Sequence, residues 1–492
     1  MGSKKKKENQ VRLEFSGTNT VEVTGSMLLA THYDNTLDKN VNILIECGSS
    51  QSSSVLNNYN TNRNLIDRLS TKKIDYIILC DSHQDHTGNT IAVAKNVKPL
   101  KIFMRPIAKP ILNVMWADSA FILEKDCQWL KDKKGIKTKP FFTVSDIDIV
   151  EGLIETVETD IMYNITPNIQ MRYLKNKHNI ASCSLELFFK DKNSRVHKLF
   201  YSSDLGSTFE PSYYVSKEQK PPRSANVSIV ESTYGEYDRE FITKKLRKKE
   251  LVDLKNVLEK TIIEKKGSVL FPTFSYQRTV VLAKILHDII SKDERYDKIP
   301  VVIDGNLSNN LIDVFERNCV GEDKENINQL LEWKNLLRLR SYKESVRYLD
   351  QSSKIILSSA GFCHTGRVQL WLKELLPHKR NTVVFIGYTG NQGSVATKIK
   401  EKDETHQKTI KIDKSTILMN SDVVSFNSFS SHLMRNELVN YATSIQTSDY
   451  LCLVHGSENA KIELAETINK RFEDECLSTK VIIPKKNQVI YF

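Results

Sequence analysis

The chain has 492 residues, too many for one ordinary hydrophobic core, so two or three compact units are expected. Hydrophobic residues make up 40% and charged residues 27%, a globular balance that excludes a disordered chain, and no run of 18 apolar residues offers a membrane-spanning helix. The net charge of +11 fits an anionic partner such as nucleic acid, and it fits equally a lysine-rich composition with no such partner.

The chain starts "MGSKKKKENQ". No apolar core or small-residue cleavage site follows the lysines, so Lys4–Lys7 reads as a solvated leader rather than a signal peptide. The first 50 residues read as short strands, "QVRLEFSG", "GSMLLATHY" and "VNILIEC", and "NLIDRLS" as a short helix. "KIDYIILC" is a buried strand that runs straight into "DSHQDHTGNT". Residues 90–135 are mostly helical, and 143–204 return to strands. After the strand "ANVSIVES" comes "TYGEYD", then a charged helix from Arg239 to Lys266. From "GSVLFPTF" to "NTVVFIGY" strands and helices alternate, which implies a parallel sheet covered by helices, a separate α/β unit beginning near 240. "DVVSFNSFSSH" and "SDYLCLVHGS" again place histidines just past strands, and the last strands are "KVIIP" and "QVIYF". Eight cysteines are scattered with no CxxC pair, so neither a disulfide scaffold nor a cysteine-ligated zinc is expected. A reducing, cytoplasmic setting fits them best.

The chemistry concentrates in Asp81-Ser82-His83-Gln84-Asp85-His86. Imidazole nitrogen and carboxylate oxygen suit Zn²⁺, and four such groups within six residues provide the density that two neighbouring metals require. Asp85 and His86 can serve one metal, Asp81 and His83 the other. The competing reading is a polar loop whose histidines hydrogen-bond locally. His178, Asp204 and His455 are each weak signals alone, but all stand near strand ends, where active-site residues gather.

Taken in order, these segments resemble the β-CASP branch of the metallo-β-lactamase superfamily, which includes ribonuclease J and the nucleases of messenger RNA 3′-end processing. The likeness runs from "EVTGSMLL" at 22–29 to "VIIP" at 481–484. The family motif His-x-His-x-Asp-His is matched by Asp81-x-His83-x-Asp85-His86, and its later elements by His178, Asp204, Glu231 in "ESTYG", His432 in "SFSSH" and His455-Gly456. "GSVLFPTFSYQR" and "SSAGFCHTGRVQLWLKELLP" resemble segments of the family's insert.

The resemblance implies an α/β fold, a metallo-β-lactamase αββα sandwich (1–240 and 416–492) interrupted by a β-CASP α/β domain (241–415). It implies two Zn²⁺ per chain, with Mn²⁺ as the alternative. One metal would be held by Asp81, His83, His178 and Asp204, the other by Asp85, His86, His455 and Asp204. His432 would protonate the leaving oxygen or position the phosphate, and Glu231 would orient it. Arg278, Arg367 and Ser275 would contact the nucleic acid in a cleft beside the insert, against the alternative that the arginines form ion pairs. The implied activity is ribonuclease, endonucleolytic, 5′–3′ exonucleolytic or both. The alternatives are a nuclease acting on single-stranded DNA, or a catalytically weak RNA-binding subunit. A homodimer or a processing complex, with no membrane, is the implied setting. Four departures mark a diverged member: Asp81 for the first histidine, Glu46 for an aspartate, Leu433-Met434 for Ala-Asp, and Ser457 for a glutamate.

Overall fold

Apolar and β-branched runs bounded by Gly, Asn and Asp make the strands, and their burial follows the pleat or covers both faces. A computed structural model of the chain describes residues 9–492 except 53, 208–211, 237–243, 351, 388 and 391–392. The Lys4–Lys7 run and the expected start of the charged helix at 239–243 lie outside the described residues. The chain divides into two compact units, one of residues 1–208, 215–240 and 431–492, the other of 209–214 and 241–430.

In the first unit the strands are β1 (Arg12–Phe15), β2 (Leu28–Asp34), β3 (Lys39–Ile45), β4 (Tyr76–Ile78), β5 (Lys101–Met104), β6 (Ile154–Thr156), β7 (Tyr163–Thr166), β8 (Ile169–Lys175), β9 (Cys183–Lys190), β10 (Val196–Tyr201) and β11 (Ser224–Glu231). The second unit contributes β12 (Val269–Pro272), β13 (Val301–Asp304), β14 (Leu336–Leu339), β15 (Ile355–Ser358), β16 (Thr382–Ile386), β17 (Thr409–Ile412), β18 (Ser415–Leu418) and β19 (Asp422–Phe426). The chain then returns to the first unit for β20 (Gln446–Val454), β21 (Lys480–Ile482) and β22 (Val489–Tyr491).

The first unit is built on two seven-stranded sheets, ordered β22-β1-β2-β3-β4-β5-β6 and β21-β20-β11-β10-β9-β8-β7. Their facing sides share one core, in which Phe15, Ile43 and Phe103 meet Tyr173, Leu187 and Ile229. Helices Val55–Ser70, Thr90–Val97, Ala108–Lys134 and Val144–Glu151 connect strands of the first sheet, and Arg435–Thr443 and Glu458–Asp474 pack against the second through Leu438, Leu464 and Ile468. This is the expected αββα sandwich. The parallel pairings Ile45↔Ile78, Tyr201↔Ile229 and Glu231↔Val454 bring the C-terminal ends of β3, β4, β10, β11 and β20 to corresponding levels of their sheets.

The second unit carries the expected parallel sheet, ordered β14-β13-β15-β12-β16-β19, with a β17-β18 hairpin beside it. Trp371, Leu372, Ile356 and Phe385 fill its core. β19 hydrogen-bonds in parallel to β16, and this compact unit runs to Ser430. The first helix, expected at "NLIDRLS", begins earlier, at Val55, where the Ser54 hydroxyl accepts from the Asn57 amide. Helix Gly321–Leu331 and strand β14 add to the alternation read from the sequence. The cysteines are free, as expected, and all but Cys476 are buried. Among the described residues no helix is long and apolar enough to cross a membrane.

Candidate metal centre

The residues of "DSHQDH" occupy the loop after β4 and a short helical turn, Gln84–Thr87, which is pinned to the end of β3 by backbone hydrogen bonds. Cys47 donates to the His86 carbonyl (2.8 Å), Ser49 to that of Gln84 (2.9 Å), and Ser26 to that of Asp85 (2.8 Å). This approach requires Gly48, where a Cβ would lie 1.7 Å from the Asp85 carbonyl oxygen. Gly206 plays the same part for His178: a Cβ there would fall 2.3 Å from the His178 nitrogen, and Gly206 forms a β-bridge with His432. Glu46, Ser203 and His455 follow β3, β10 and β20 in the left-handed region, with φ of 59°, 52° and 58°. Non-glycine residues adopt that conformation at a cost, and such residues cluster at functional sites.

These turns gather the ionisable side chains into three overlapping groups: Asp85, His86, Asp204 and His455; Asp81, His83 and His178; and His178, Asp204 and His432. Within each, one ligand atom per residue lies within 4.8 Å of the others. His86 Nε2 is 3.3 Å from Asp204 Oδ2, His455 Nδ1 is 3.2 Å from Asp204 Oδ1, and His455 Nε2 is 3.3 Å from Asp85 Oδ2. Both His86 ring nitrogens, His178 Nδ1 and Asp204 Oδ1 are buried without a hydrogen-bond partner. Buried polar atoms are ordinarily satisfied, and leaving them so costs free energy. Unspent imidazole and carboxylate atoms at this spacing are a donor set that fits a divalent cation.

The electrostatics favour ligation. Burial would raise the carboxyl of Asp204, but His455 and His86 hold it well below the usual range, so it stays ionised. Burial drives His178 down to about 4, helped by His432, which keeps it in the neutral form that binds metals. Burial pushes Glu46 up to about 7 against the opposing pull of His86, whose Nδ1 lies 3.5 Å away. At the rim, Glu231 Oε1 lies 3.3 Å from His432 Nδ1 and accepts the Leu205 amide (2.9 Å), while Oε2 accepts that of Thr233 (3.0 Å). The His432 ring centroid is 4.5 Å from that of His178.

The expected nucleic-acid residues belong to the second unit. Arg278 Nη1 donates to the Ile386 carbonyl (2.9 Å), and Ser275 is half-buried in the turn before it. Arg367 is held in an ion pair with the buried Asp304 (2.7 Å) and also donates to the carbonyls of Leu339 and Arg340. That is the ion-pair alternative, and it is made inside the unit.

Two buried asparagines were missed by sequence reasoning. Asn176 donates to the Asp204 carbonyl (2.7 Å) and accepts the His178 amide (2.8 Å), fixing both loops. Asn179 donates to Asp81 Oδ2 (2.6 Å). Their only sequence signal is the spacing on either side of His178 in "NKHN".

Residues 279–399 match the Beta-Casp domain family, and residues 416–484 match the family described as a Zn-dependent metallo-hydrolase RNA specificity domain. Over 464 residues the chain is 23% identical to Ribonuclease TTHA0252 of Thermus thermophilus, covering 93% of this chain and 96% of that one. It is 23% identical over 416 residues to the transcription termination factor FttA of Methanocaldococcus jannaschii, and 23% over 419 residues to the endoribonuclease YSH1 of Saccharomyces cerevisiae. These two matches cover 82% of this chain, but only 62% and 51% of those longer proteins.

Proposed function

Because the chain belongs to the β-CASP branch of the metallo-β-lactamase-fold nucleases, we propose that it is a metal-dependent ribonuclease that hydrolyses RNA phosphodiester bonds with two metal ions, zinc in the first instance. The observation that carries this reading is the buried cluster of Asp85, His86, Asp204 and His455 with unspent ligand atoms. Asp204 stands in two of the three ligand groups and would serve both metal positions. Asp81, His83 and His178 would complete the second position. When bound, the ions would lower the pKa of a shared water and neutralise charge on the phosphate oxygens.

The chain's own groups supply the rest. Glu231 accepts the Nδ1 proton of His432 and fixes its tautomer, so Nε2 exchanges a proton with the leaving 3′-oxygen. Arg278 and Ser275 contact the RNA backbone, whereas Arg367, committed to Asp304, shapes that surface indirectly. The names of the relatives in Thermus and yeast, a ribonuclease and an endoribonuclease, favour RNA over DNA.

The test is cleavage of matched RNA and DNA strands labelled at either end, with zinc, manganese or chelator. RNA cutting that requires metal supports the reading, and the product ladder separates internal cutting from 5′–3′ trimming. Cutting of DNA alone would replace the substrate class. Folded, metal-loaded protein that binds RNA without cutting it would make this a binding subunit.

A further inference from the structure

The two halves of the centre are built from similar residues but are not in the same condition. In the Asp85–His86–Asp204–His455 half, the closest carboxylate–imidazole separations between different residues are 3.2–3.3 Å. Two ligands of a tetrahedral zinc at its usual bond lengths stand roughly 3.3 Å apart. This half is spaced for an ion: neither ring nitrogen of His86 makes a hydrogen bond, its Nδ1 standing 3.5 Å from Glu46 Oε1, while His455 Nδ1 also lies 3.2 Å from Thr233 Oγ1.

In the Asp81–His83–His178 half, His178 Nδ1 is without a hydrogen-bond partner, but Asp81 is closed in by protein donors. Asp81 Oδ1 accepts the backbone amides of Ser82 (2.6 Å) and His83 (2.8 Å) and lies 2.8 Å from His83 Nδ1. Its Oδ2 accepts Asn179 Nδ2 at 2.6 Å. The orientation of the Asn179 amide is fixed, because its Oδ1 accepts the Ala181 backbone N–H (2.9 Å), which leaves Nδ2 to donate. Asp81 is therefore gripped by four protein donors, one of them the His83 ring that would have to share an ion with it. Histidine at this position could not accept these bonds in the same way, so the substitution and the asparagine belong together.

We propose that the centre loads unequally: one divalent ion enters the Asp85–His86–Asp204–His455 half tightly, and the Asp81–His83–His178 half takes a second more weakly, because Asn179 and the His83 ring hold Asp81 as a buttress rather than an open ligand. This rests on the metal-dependent reading above. For Asp81 Oδ1 and His83 Nδ1 to serve as ligands of a second ion, the hydrogen bond between them has to break. A charge-assisted hydrogen bond of this kind corresponds to a factor of about ten or more in an equilibrium constant.

The experiment uses the full chain stripped with chelator, titrated with Zn²⁺ by calorimetry, and assayed for retained zinc after desalting. The expected result is one retained equivalent, and a second binding event at least about tenfold weaker. Asp81→Ala should keep the tight equivalent, His455→Ala should lose it, and Asp81→His should retain two. Near-ultraviolet circular dichroism checks that each variant is folded. Two equivalents of equal affinity in the unaltered protein, or loss of the tight equivalent in folded Asp81→Ala, would overturn the inequality while leaving the metal centre standing. No zinc binding at all would overturn the metal-dependent reading itself.

Discussion

Asp204 in the first unit and Asp304 in the second make an instructive pair. Both are buried aspartates at the C-terminal end of a strand, Asp304 closing β13 and Asp204 three residues beyond β10. Asp304 is fully engaged: Oδ1 accepts Arg367 (2.7 Å) and Ser345 (2.9 Å), and Oδ2 accepts the Trp371 indole N–H (2.7 Å). Asp204 has a carboxylate oxygen with no hydrogen-bond partner and four histidines around it. A buried charge whose hydrogen bonds are complete holds a fold together. One with an unsatisfied oxygen, beside His86 and His178 nitrogens that also lack partners, belongs to a donor set that fits a cation. Burial and residue type are the same in both places, and only the accounting of partners separates structure from function.

The comparison can be broken most forcefully at Asp304. Asp304→Ala leaves Arg367 and Trp371 without their acceptor and should lower unfolding stability by about 3–5 kcal/mol in urea titrations. It should leave any metal-induced gain in stability intact. His432→Ala should reduce RNA cleavage by about a hundredfold or more, the range of a lost general acid, while retained zinc is unchanged. If zinc is lost as well, His432 is a ligand rather than a proton donor.

Zinc at a hundredfold excess over its dissociation constant should stabilise the protein by about 2.7 kcal/mol. Asp204→Ala should abolish that gain, and an equal gain in the variant would contradict the assignment. The smallest effect concerns Glu14, a structural ion pair far in character from either aspartate. Burial alone would raise its carboxyl, but hydrogen bonds from Lys72 and Arg12 hold it down to about 2, from an ordinary value of 4.5. A depressed carboxyl contributes stability above its unfolded value and loses it as pH falls through the folded one. Glu14→Gln should therefore cost about 1 kcal/mol at pH 7. That cost should shrink below pH 4.5 and vanish near pH 2, read from urea midpoints across pH.

Much of the fold was legible because its signals are periodic or dense. The strand "KIDYIILC" running into "DSHQDH" marks an edge where ligands collect, and the alternation after 267 marks a parallel sheet. "DVVSF" reads as a strand, and nothing local says which sheet will accept it. The β17-β18 hairpin was hidden in a charged stretch, since β17 buries only every second of its four residues and β18 buries none. In the site, Asp81 reads as a ligand from spacing alone. Three of the donors that grip it are its sequence neighbours, but the one on Oδ2 comes from Asn179, 98 residues away. Arg367 reads as a phosphate contact, and its ion pair with Asp304, 63 residues upstream, is visible only in the fold. Spacing reveals which residues share a neighbourhood in the chain, whereas the satisfaction of each atom depends on partners brought from elsewhere.

The most direct test compares zinc-dependent cleavage of an end-labelled RNA by the unaltered chain, Asp204→Ala and Asp304→Ala, each assayed at a temperature where it is folded. The account expects chelator-sensitive cutting by the unaltered chain and by Asp304→Ala, and none above background by Asp204→Ala. Undiminished cutting by folded Asp204→Ala would show that the unspent cluster is not where the chemistry occurs.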